Sequence, residues 1–233
     1  MARSALFVLV VLLSLGSPLS EAAAQNTFSF RIAAVKYSGG GDWYEAQRPL
    51  PHFLEFVREN TLLDVDPKAE VVELTSAKLF NYPFLVLSGH GNVHFTDDEA
   101  QRLRRYLDGG GFLYVDDDYG LDKYIRREMK KVFPEQEFAE LPFSHPIYHT
   151  HYDFPSGLPK IHEHDEKPPQ GFGLFSHDGR LCVFYTYETN ISDGWEAPGV
   201  HPNDSPKTRL NALQMGVNVL VYAMMSPSPP PVP

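Results

Sequence analysis

The chain has 233 residues, of which 42% are hydrophobic, and its formal net charge is −10 at pH 7. This length suits one well-buried α/β domain, and an acidic chain without basic clusters argues against nucleic acid and anionic lipid as partners. The one cysteine, Cys182, excludes an intrachain disulfide, and its apolar neighbours predict a buried side chain.

The amino terminus has the pattern of an export signal. Arg3 precedes the apolar block Ala5–Leu15, and Ala22–Ala24 offers a small-residue cleavage site before Gln25. We therefore predict a signal peptide over residues 1–24 and a periplasmic or secreted protein. An uncleaved membrane anchor is the alternative, but the apolar block is short for a membrane span.

A predicted strand and a glycine-rich loop open the domain, which we expect to cover residues 26–225. The apolar run Phe30–Tyr37 predicts an interior strand that continues into Ser38–Tyr44. Three glycines followed by Trp43 and Tyr44 would bring the backbone close to a ligand, beside flat rings that stack on it. The loop matches neither a Walker motif nor GxGxxG, so a plain glycine turn is the alternative.

A strand–helix–strand unit over residues 84–120 organises the chain. Its apolar runs, Phe84–Leu87 and Phe112–Val115, flank a helix that Thr96 and Glu99 begin with a capping box and that a run of glycines ends. Such units make parallel neighbouring strands, so both strands end on one edge of the sheet. Open α/β folds bind their ligands at that edge.

The remaining elements complete a three-layer α/β domain with a mostly parallel sheet. They are a helix from Pro49 to about Asn60, a strand at Val71–Leu74, a helix at Leu121–Phe133, a hairpin of Gly173–Phe175 with Leu181–Tyr187, and a helix from Pro206 onward. We predict the strand order 2-1-3-4 with the hairpin at an edge, and Asp178-Gly179 predicts a primed turn in that hairpin. Residues 226–233 are Pro-rich and predict a disordered tail.

Several loops should gather at the edge where the strands end. The sharpest feature there is Asp116-Asp117-Asp118, three carboxylates that repel one another unless they are paired or hydrogen-bonded. Capping the next helix and binding a ligand or metal are both open to them. The predicted ligand-binding residues are Trp43, Tyr44, Gly89, His90, Asp116, Asp117, Asp118 and Trp195.

Histidines are dense in two later segments. His149 and His151 would share one face of a strand, as many zinc and copper sites require, and His145 lies just before them. His162 and His164 follow in a Pro-rich acidic loop, and neither group matches HExxH or another zinc signature. The metal hypothesis therefore rests on His145, His149 and His151, and hydrogen-bonding histidines without a metal are the alternative.

A serine nucleophile has weak support. Ser88 begins the only Ser-Gly turn predicted at a strand end, but it lacks the GxSxG frame of a nucleophile elbow. Anion binding by the backbone of Gly89–Gly91 is the better functional interpretation. A turn that only reverses the chain is the alternative.

The order of motifs resembles a known family. The motifs are KYSGGGDWY, FLVLSGHG, RRYLDGGGFLYVDDDYG, LPFSHPIYHTHYDF, GRLCVFYTYE, DGWE and NALQMGVNVLVYAM. They resemble the bacterial family called domain of unknown function 4159 over nearly all of Phe28–Met225. That family is similar to class I glutamine amidotransferase-like and ThuA-like domains, which implies a flavodoxin-like fold. Catalytic amidotransferases carry a cysteine after the corresponding strand, whereas Val115–Gly120 contains none.

Three functions follow as hypotheses. The leading one is an exported amidotransferase-like domain that binds a small polar, sugar-like or cationic ligand, or a protein partner, without thiol catalysis. The second is a metal-dependent hydrolase, in which a divalent metal held by His145, His149 or His151 and an Asp of Asp116–Asp118 activates water. The third is a structural subunit of a cell-envelope complex that uses the Pro-rich tail as its contact.

Overall fold

Seven strands form one sheet in a computed structural model that describes residues 30–162 and 165–225. The predicted signal peptide and Pro-rich tail lie outside the described residues, as does His164. The strands are β1 (Ile32–Lys36), β2 (Glu70–Glu73), β3 (Phe84–His90), β4 (Phe112–Tyr119), β5 (Ala139–Glu140), β6 (Gln170–Phe175) and β7 (Leu181–Tyr187).

The sheet is mostly parallel, with the order β2-β1-β3-β4-β7-β6-β5. Strands β2, β1, β3, β4 and β7 pair in parallel, whereas β6 runs antiparallel to β7 and β5 antiparallel to β6. The predicted order 2-1-3-4 is therefore confirmed, and the predicted hairpin lies beside β4. Beyond the hairpin, the short strand β5 forms that edge of the sheet, and the sequence patterns do not predict it.

Helices cover both faces of the sheet and make it a three-layer, flavodoxin-like α/β fold. They are α1 (Leu50–Asn60), α2 (Asp97–Asp108), α3 (Asp122–Val132) and α4 (Pro206–Met225). Because side chains alternate along a strand, Ile32 and Ala34 of β1 pack in a core with α1 and α4. Ala33 and Val35 pack in a second core with α2 and α3.

Local sequence signals set the limits of several elements. The side chain of Thr96 accepts a hydrogen bond from the backbone amide of Glu99, and the side chain of Glu99 accepts one from the backbone amide of Thr96. The predicted capping box therefore begins α2. The predicted primed turn in the hairpin is wrong. Gly179 has a φ of +82° but Asp178 does not have a positive φ, and the amide of Gly179 donates to the carbonyl of Ser176. This is the longer hairpin loop with a left-handed glycine.

None of the described helices has both the length and the apolar character that a membrane crossing requires.

Candidate functional site

The polar ends of β3 and β4 form the base of the candidate site. Both strands run further than predicted: Ser88 pairs with Asp116 and Gly89 with Asp117, so residues expected in loops belong to the sheet. Strand alternation then sends Asp116 and Asp118 toward one face of the sheet and Asp117 toward the other. Adjacent carboxylates therefore have separate surroundings.

Asp116 holds the segment after β7 against β4. Its side chain is fully buried, and its Oδ2 accepts hydrogen bonds from the amide and the hydroxyl of Ser192, each at 2.6 Å. Its Oδ1 accepts a hydrogen bond from the Thr186 hydroxyl at 2.5 Å. Burial raises the pKa of Asp116, and these donors oppose that rise. A residue satisfied in this way positions its neighbours and is closed to a ligand.

Asp117 lies on the α3 side of the sheet. Its Oδ1 accepts a hydrogen bond from the backbone amide of Leu121 at 2.8 Å. This is the predicted contact with the start of the next helix. Burial, with nearby carboxylates, raises the pKa of Asp117 to about 7. It borders a first cavity of about 410 Å³ at the carboxyl edge of the sheet. The cavity is also lined by Gly91, Tyr119, Gly120, Asp122, Lys123, Tyr124, Asp165, Tyr187 and Glu188.

Asp118 lies on the opposite side, beside the imidazole of His90. The Nδ1 atom of His90 is 3.2 Å from Asp118 and 3.0 Å from Asp42, so one imidazole stands between two carboxylates. Asn190 donates to the Oδ1 of Asp118 at 2.8 Å, although its own φ of +55° is strained for a residue with a side chain. Burial and the nearby carboxylate of Asp193 raise the pKa of Asp118.

A second cavity of about 400 Å³ opens in front of Asp118 and His90. The same cavity is lined by His162, Asp193 and His201, whose ligand atoms lie within 4.8 Å of one another. Carboxylates dominate the surroundings, and the guanidinium of Arg48 reaches Glu196 at 3.5 Å. The cavity therefore combines imidazole nitrogens and carboxylate oxygens from segments far apart in sequence.

The glycine-rich loop after β1 contributes through Asp42 more than through its aromatic rings. The amide of His90 donates to Asp42, and a Cβ on Gly89 would meet Asp42 at 2.8 Å and the Tyr37 hydroxyl at 2.5 Å. Gly89 also has a φ of +138°, so the close approach requires glycine. The rings of Trp43 and Tyr44 pack edge to face with their centroids 6.0 Å apart. Neither residue lines either of the two cavities.

Trp195 belongs to the core rather than to the cleft. It is fully buried, and its ring stacks on that of Phe53 with the centroids 4.1 Å apart. Its indole N–H donates a hydrogen bond to the carbonyl of Ala212, with 2.9 Å between nitrogen and oxygen. A Cβ on Gly216 would come within 2.6 Å of its ring, so α4 packs directly against it. The predicted contact of Trp195 with a ligand is therefore corrected: its ring supports α4.

The predicted metal cluster of His145, His149 and His151 is not assembled. His151 lies 3.2 Å from the carbonyl of Asn60 at the end of α1, and the His145 ring lies 5.6 Å from Tyr222 in the last turn of α4. These helix ends lie at the amino edge of the sheet, since both helices start from the carboxyl edge. The three histidines thus lie away from Asp116–Asp118, and His149 bonds instead to Asp153 and to the Phe143 carbonyl.

The two nucleophile candidates are both buried. Ser88 donates to the carbonyl of Asp116 at 3.0 Å and contacts Ser192, so its hydroxyl has no imidazole base among its described partners. Cys182 is fully buried in β7, and burial raises the pKa of its thiol to about 12. Neither residue has the setting of an activated nucleophile.

The sequence patterns did not single out His201, Glu196 or Asp204. His201 stands alone in a Pro-rich stretch with no metal motif, and the loop of His162 is rich in proline and acidic residues, a composition that does not indicate a metal site. Only the tertiary structure brings the segment before β6 and the connection from β7 to α4 together. The available signal was the clustering of Asp193, Glu196 and Asp204 close to His201.

A mostly parallel sheet, helices on both faces and polar cavities at the carboxyl ends of the strands define a flavodoxin-like α/β domain. A family model described as "Domain of unknown function (DUF4159)" matches residues 31–224. The chain therefore belongs to this family. A comparison with curated proteins finds no match.

Proposed function

We propose that this protein is an exported, amidotransferase-like domain that binds a small, positively charged, hydroxyl-bearing ligand in the first cavity, without thiol catalysis. The observation that carries the proposal is the composition of that cavity. Carboxylates and tyrosine rings surround about 410 Å³ at the carboxyl edge of the sheet. This edge is where open α/β folds bind ligands.

The charge of the first cavity favours a cation. Asp117, Asp122, Asp165 and Glu188 contribute four carboxylates, and Lys123 is the one basic side chain among the described lining residues. From outside the lining, Arg126, Lys167 and Lys160 pair with Asp122, Asp165 and Glu188, whereas Asp117 has no such pair among the described residues. The Lys123 ammonium also lies 4.7 Å from the Tyr124 ring, which is the contact a ligand amine would make with a tyrosine here. A cationic ligand would gain both carboxylate and aromatic contacts.

The aromatic rings favour a ligand with flat or hydroxyl-rich faces. Tyr119, Tyr124 and Tyr187 line the first cavity, and Tyr119 is 49% exposed. Tyrosine offers a stacking surface and a hydroxyl that both donates and accepts hydrogen bonds. An amino sugar combines the required amine with hydroxyl groups and is the class we propose.

Two further observations support binding without covalent chemistry. The thiol of Cys182 is buried in β7, away from the carboxyl ends of the strands. The hydroxyl of Ser88 is also buried and is hydrogen-bonded to the backbone. The export part of the proposal comes from the signal-like sequence of residues 1–24.

Calorimetric titration with glucosamine tests the proposal, and N-acetylglucosamine is the matched neutral ligand. We expect glucosamine to bind at least about tenfold more tightly, a difference of about 1.4 kcal/mol, and added salt to weaken it. Tyr119→Ala should weaken glucosamine binding. Tyr44→Ala should not, although Tyr44 is 51% exposed and thus a closely matched surface tyrosine.

Equal affinity for the charged and the neutral sugar would contradict a site selected by charge. A loss of binding in Tyr44→Ala but not in Tyr119→Ala would move the site to the glycine-rich loop. Failure of both sugars to bind would remove the amino-sugar class from the proposal.

A further inference from the structure

We propose that His162, Asp193 and His201 form a binding site for a divalent transition-metal ion in the second cavity. This inference goes beyond the proposed function, because the second cavity lies on the other side of β4 from the first. It also replaces the metal cluster expected at His145, His149 and His151.

The three side chains have the composition of a metal site with an open position. One nitrogen from each histidine and one oxygen from Asp193 lie within 4.8 Å of one another. The centroids of the two imidazole rings lie 5.0 Å apart, and their planes are tilted by 60°. The Nδ1 of His162 lies 2.9 Å from the Oδ2 of Asp193. Ligand atoms on a tetrahedral zinc ion are about 3.3 Å apart, so a metal ion would replace this contact after small rotations of the side chains.

A second observation favours a cation as the ligand. Within the described residues, Oδ2 of Asp204 is buried without a hydrogen-bond partner, and Oε2 of Glu196 and Nε2 of His201 are buried with only each other, at 3.3 Å. Glu196 is only 6% exposed and lines the second cavity. Its other oxygen faces Arg48, which leaves Oε2 directed toward His201 at 3.3 Å.

Leaving such groups unsatisfied is costly. A buried polar atom without a partner destabilises a protein, and more so when it is charged. The buried atoms here are two carboxylate oxygens and one imidazole nitrogen, which are the kinds of atom that coordinate first-row metal ions. A bound cation would satisfy them together.

The fold also holds the metal-binding segment in place from behind. Asp116 binds the amide and hydroxyl of Ser192, the residue directly before Asp193. Asn190 reaches the Oδ2 of Asp193 at 3.4 Å, and Asp204 lies 3.3 Å from the Nε2 of His162. Outer partners of this kind orient metal ligands, so the surrounding hydrogen bonds suit a metal site as well as its first ligands do.

The donor set selects among metals. Two imidazoles with a carboxylate suit zinc and other first-row ions, whereas calcium and magnesium require oxygen ligands almost exclusively. We therefore expect Zn²⁺ to bind and Mg²⁺ not to compete with it. The same geometry without a metal would be a hydrogen-bonded cluster that only fastens the loops, and the test separates the two.

The experiment is calorimetric titration of the untagged, EDTA-dialysed protein with ZnCl₂ in the absence of any sugar. We expect one zinc ion per chain, and His201→Ala to weaken binding by about 100-fold or more, since outer-shell changes alone weaken it by about 10–100-fold. His149→Ala is the matched control at the other edge of the sheet, and we expect it to bind zinc like the unmodified chain. Asp193→Asn should act like His201→Ala.

Two results would overturn the inference: no zinc binding by the unmodified protein, or zinc binding that His201→Ala and Asp193→Asn both leave unchanged. Thermal unfolding keeps the test valid if a variant folds poorly. Zinc should raise the melting temperature of the unmodified chain and of His149→Ala, and not that of folded His201→Ala. Glucosamine binding by His201→Ala tests the first cavity separately, so failure of one proposal is distinguishable from failure of the other.

Discussion

Three consecutive aspartates perform three different tasks at the end of β4. Asp116 is buried and accepts hydrogen bonds from Ser192 and Thr186. Asp117 contacts the start of α3, and Asp118 lies beside His90. The alternation of side chains along a strand gives them separate hydrogen-bond partners, although the charge of Asp116 still contributes to the raised pKa of the other two. Each must therefore be tested alone, because a triple substitution would combine three unrelated effects.

Asp117 should make the stability of the protein depend on pH. Burial raises its pKa to about 7 in the folded state, so the folded protein binds a proton that the unfolded chain releases near the ordinary value. The stability this provides is complete at low pH and is lost as the pH rises through about 7. Asp117→Asn should therefore stabilise the protein by about 2 kcal/mol at about pH 8, and far less at about pH 5.

Urea unfolding at the two pH values measures this difference. The control is Asp178→Asn at the hairpin turn, where the Ser176 hydroxyl lowers the pKa of the carboxyl group. That substitution should not stabilise the protein at the higher pH. Equal stabilisation by Asp117→Asn at both pH values would show that its carboxyl is already ionised throughout.

The thiol of Cys182 should be unreactive in the folded protein. The residue is fully buried, and burial raises its pKa to about 12, so the thiolate is scarce and shielded near neutral pH. Ellman's reagent should therefore label the protein only after guanidinium unfolding. Labelling of the native protein at the rate of a free thiol would contradict this buried placement.

At the scale of elements, Asn218 connects α4 by hydrogen bonds to the loop that carries His145, His149 and His151. It is fully buried, and its Oδ1 accepts the amides of His151 at 3.0 Å and Tyr152 at 2.7 Å. Its side-chain amide donates to the carbonyl of Tyr152 at 2.8 Å. One side chain thus satisfies three backbone groups that no strand or helix satisfies.

Asn218→Ala should cost about 2–3 kcal/mol, because it leaves these backbone groups without partners. Asn211→Ala, on the same helix and only half-buried, should cost no more than about 0.5 kcal/mol. Urea denaturation of both variants measures the difference. Similar losses in the two would contradict a special role for the loop contact, since Asn→Ala raises the helix propensity at both positions.

Elements with local signals were predictable, and elements that depend on distant contacts were not. The capping box of Thr96 and Glu99 begins α2 as expected, and the strand–helix–strand pattern fixes β3 and β4 as neighbours. The continuation of β4 through its aspartates depends on pairing with β3 and on Ser192, so no local pattern reveals it. The grouping of His201 with His162 is equally invisible in the sequence, since the fold alone brings them together.

At the scale of the whole molecule, the carboxyl edge of the sheet carries both cavities and the amino edge carries the unassembled histidines. All five parallel strands run in one direction, so the segments after β1, β3, β4 and β7 meet at the same end. This arrangement places carboxylates from separate segments around two adjacent cavities. The polar chemistry of the domain is concentrated at that end.

Export is tested on the full-length chain. Produced in a bacterium, it should appear outside the cytoplasm with Gln25 as its first residue, which intact mass and amino-terminal sequencing would show. The double substitution Ala22→Leu and Ala24→Leu should block cleavage and leave the precursor, because small residues are needed at the cleavage site. A full-length protein in the cytoplasm would contradict the export signal.

The shortness of the two outer strands has a consequence for self-association. At one edge β5 has two residues, and at the other β2 has four, with Glu70 and Glu73 at its ends. An unpaired edge invites the strand of another molecule, and brief or charged edges discourage such pairing. Concentrated solutions of this domain should therefore resist the edge-to-edge stacking that leads to fibrils.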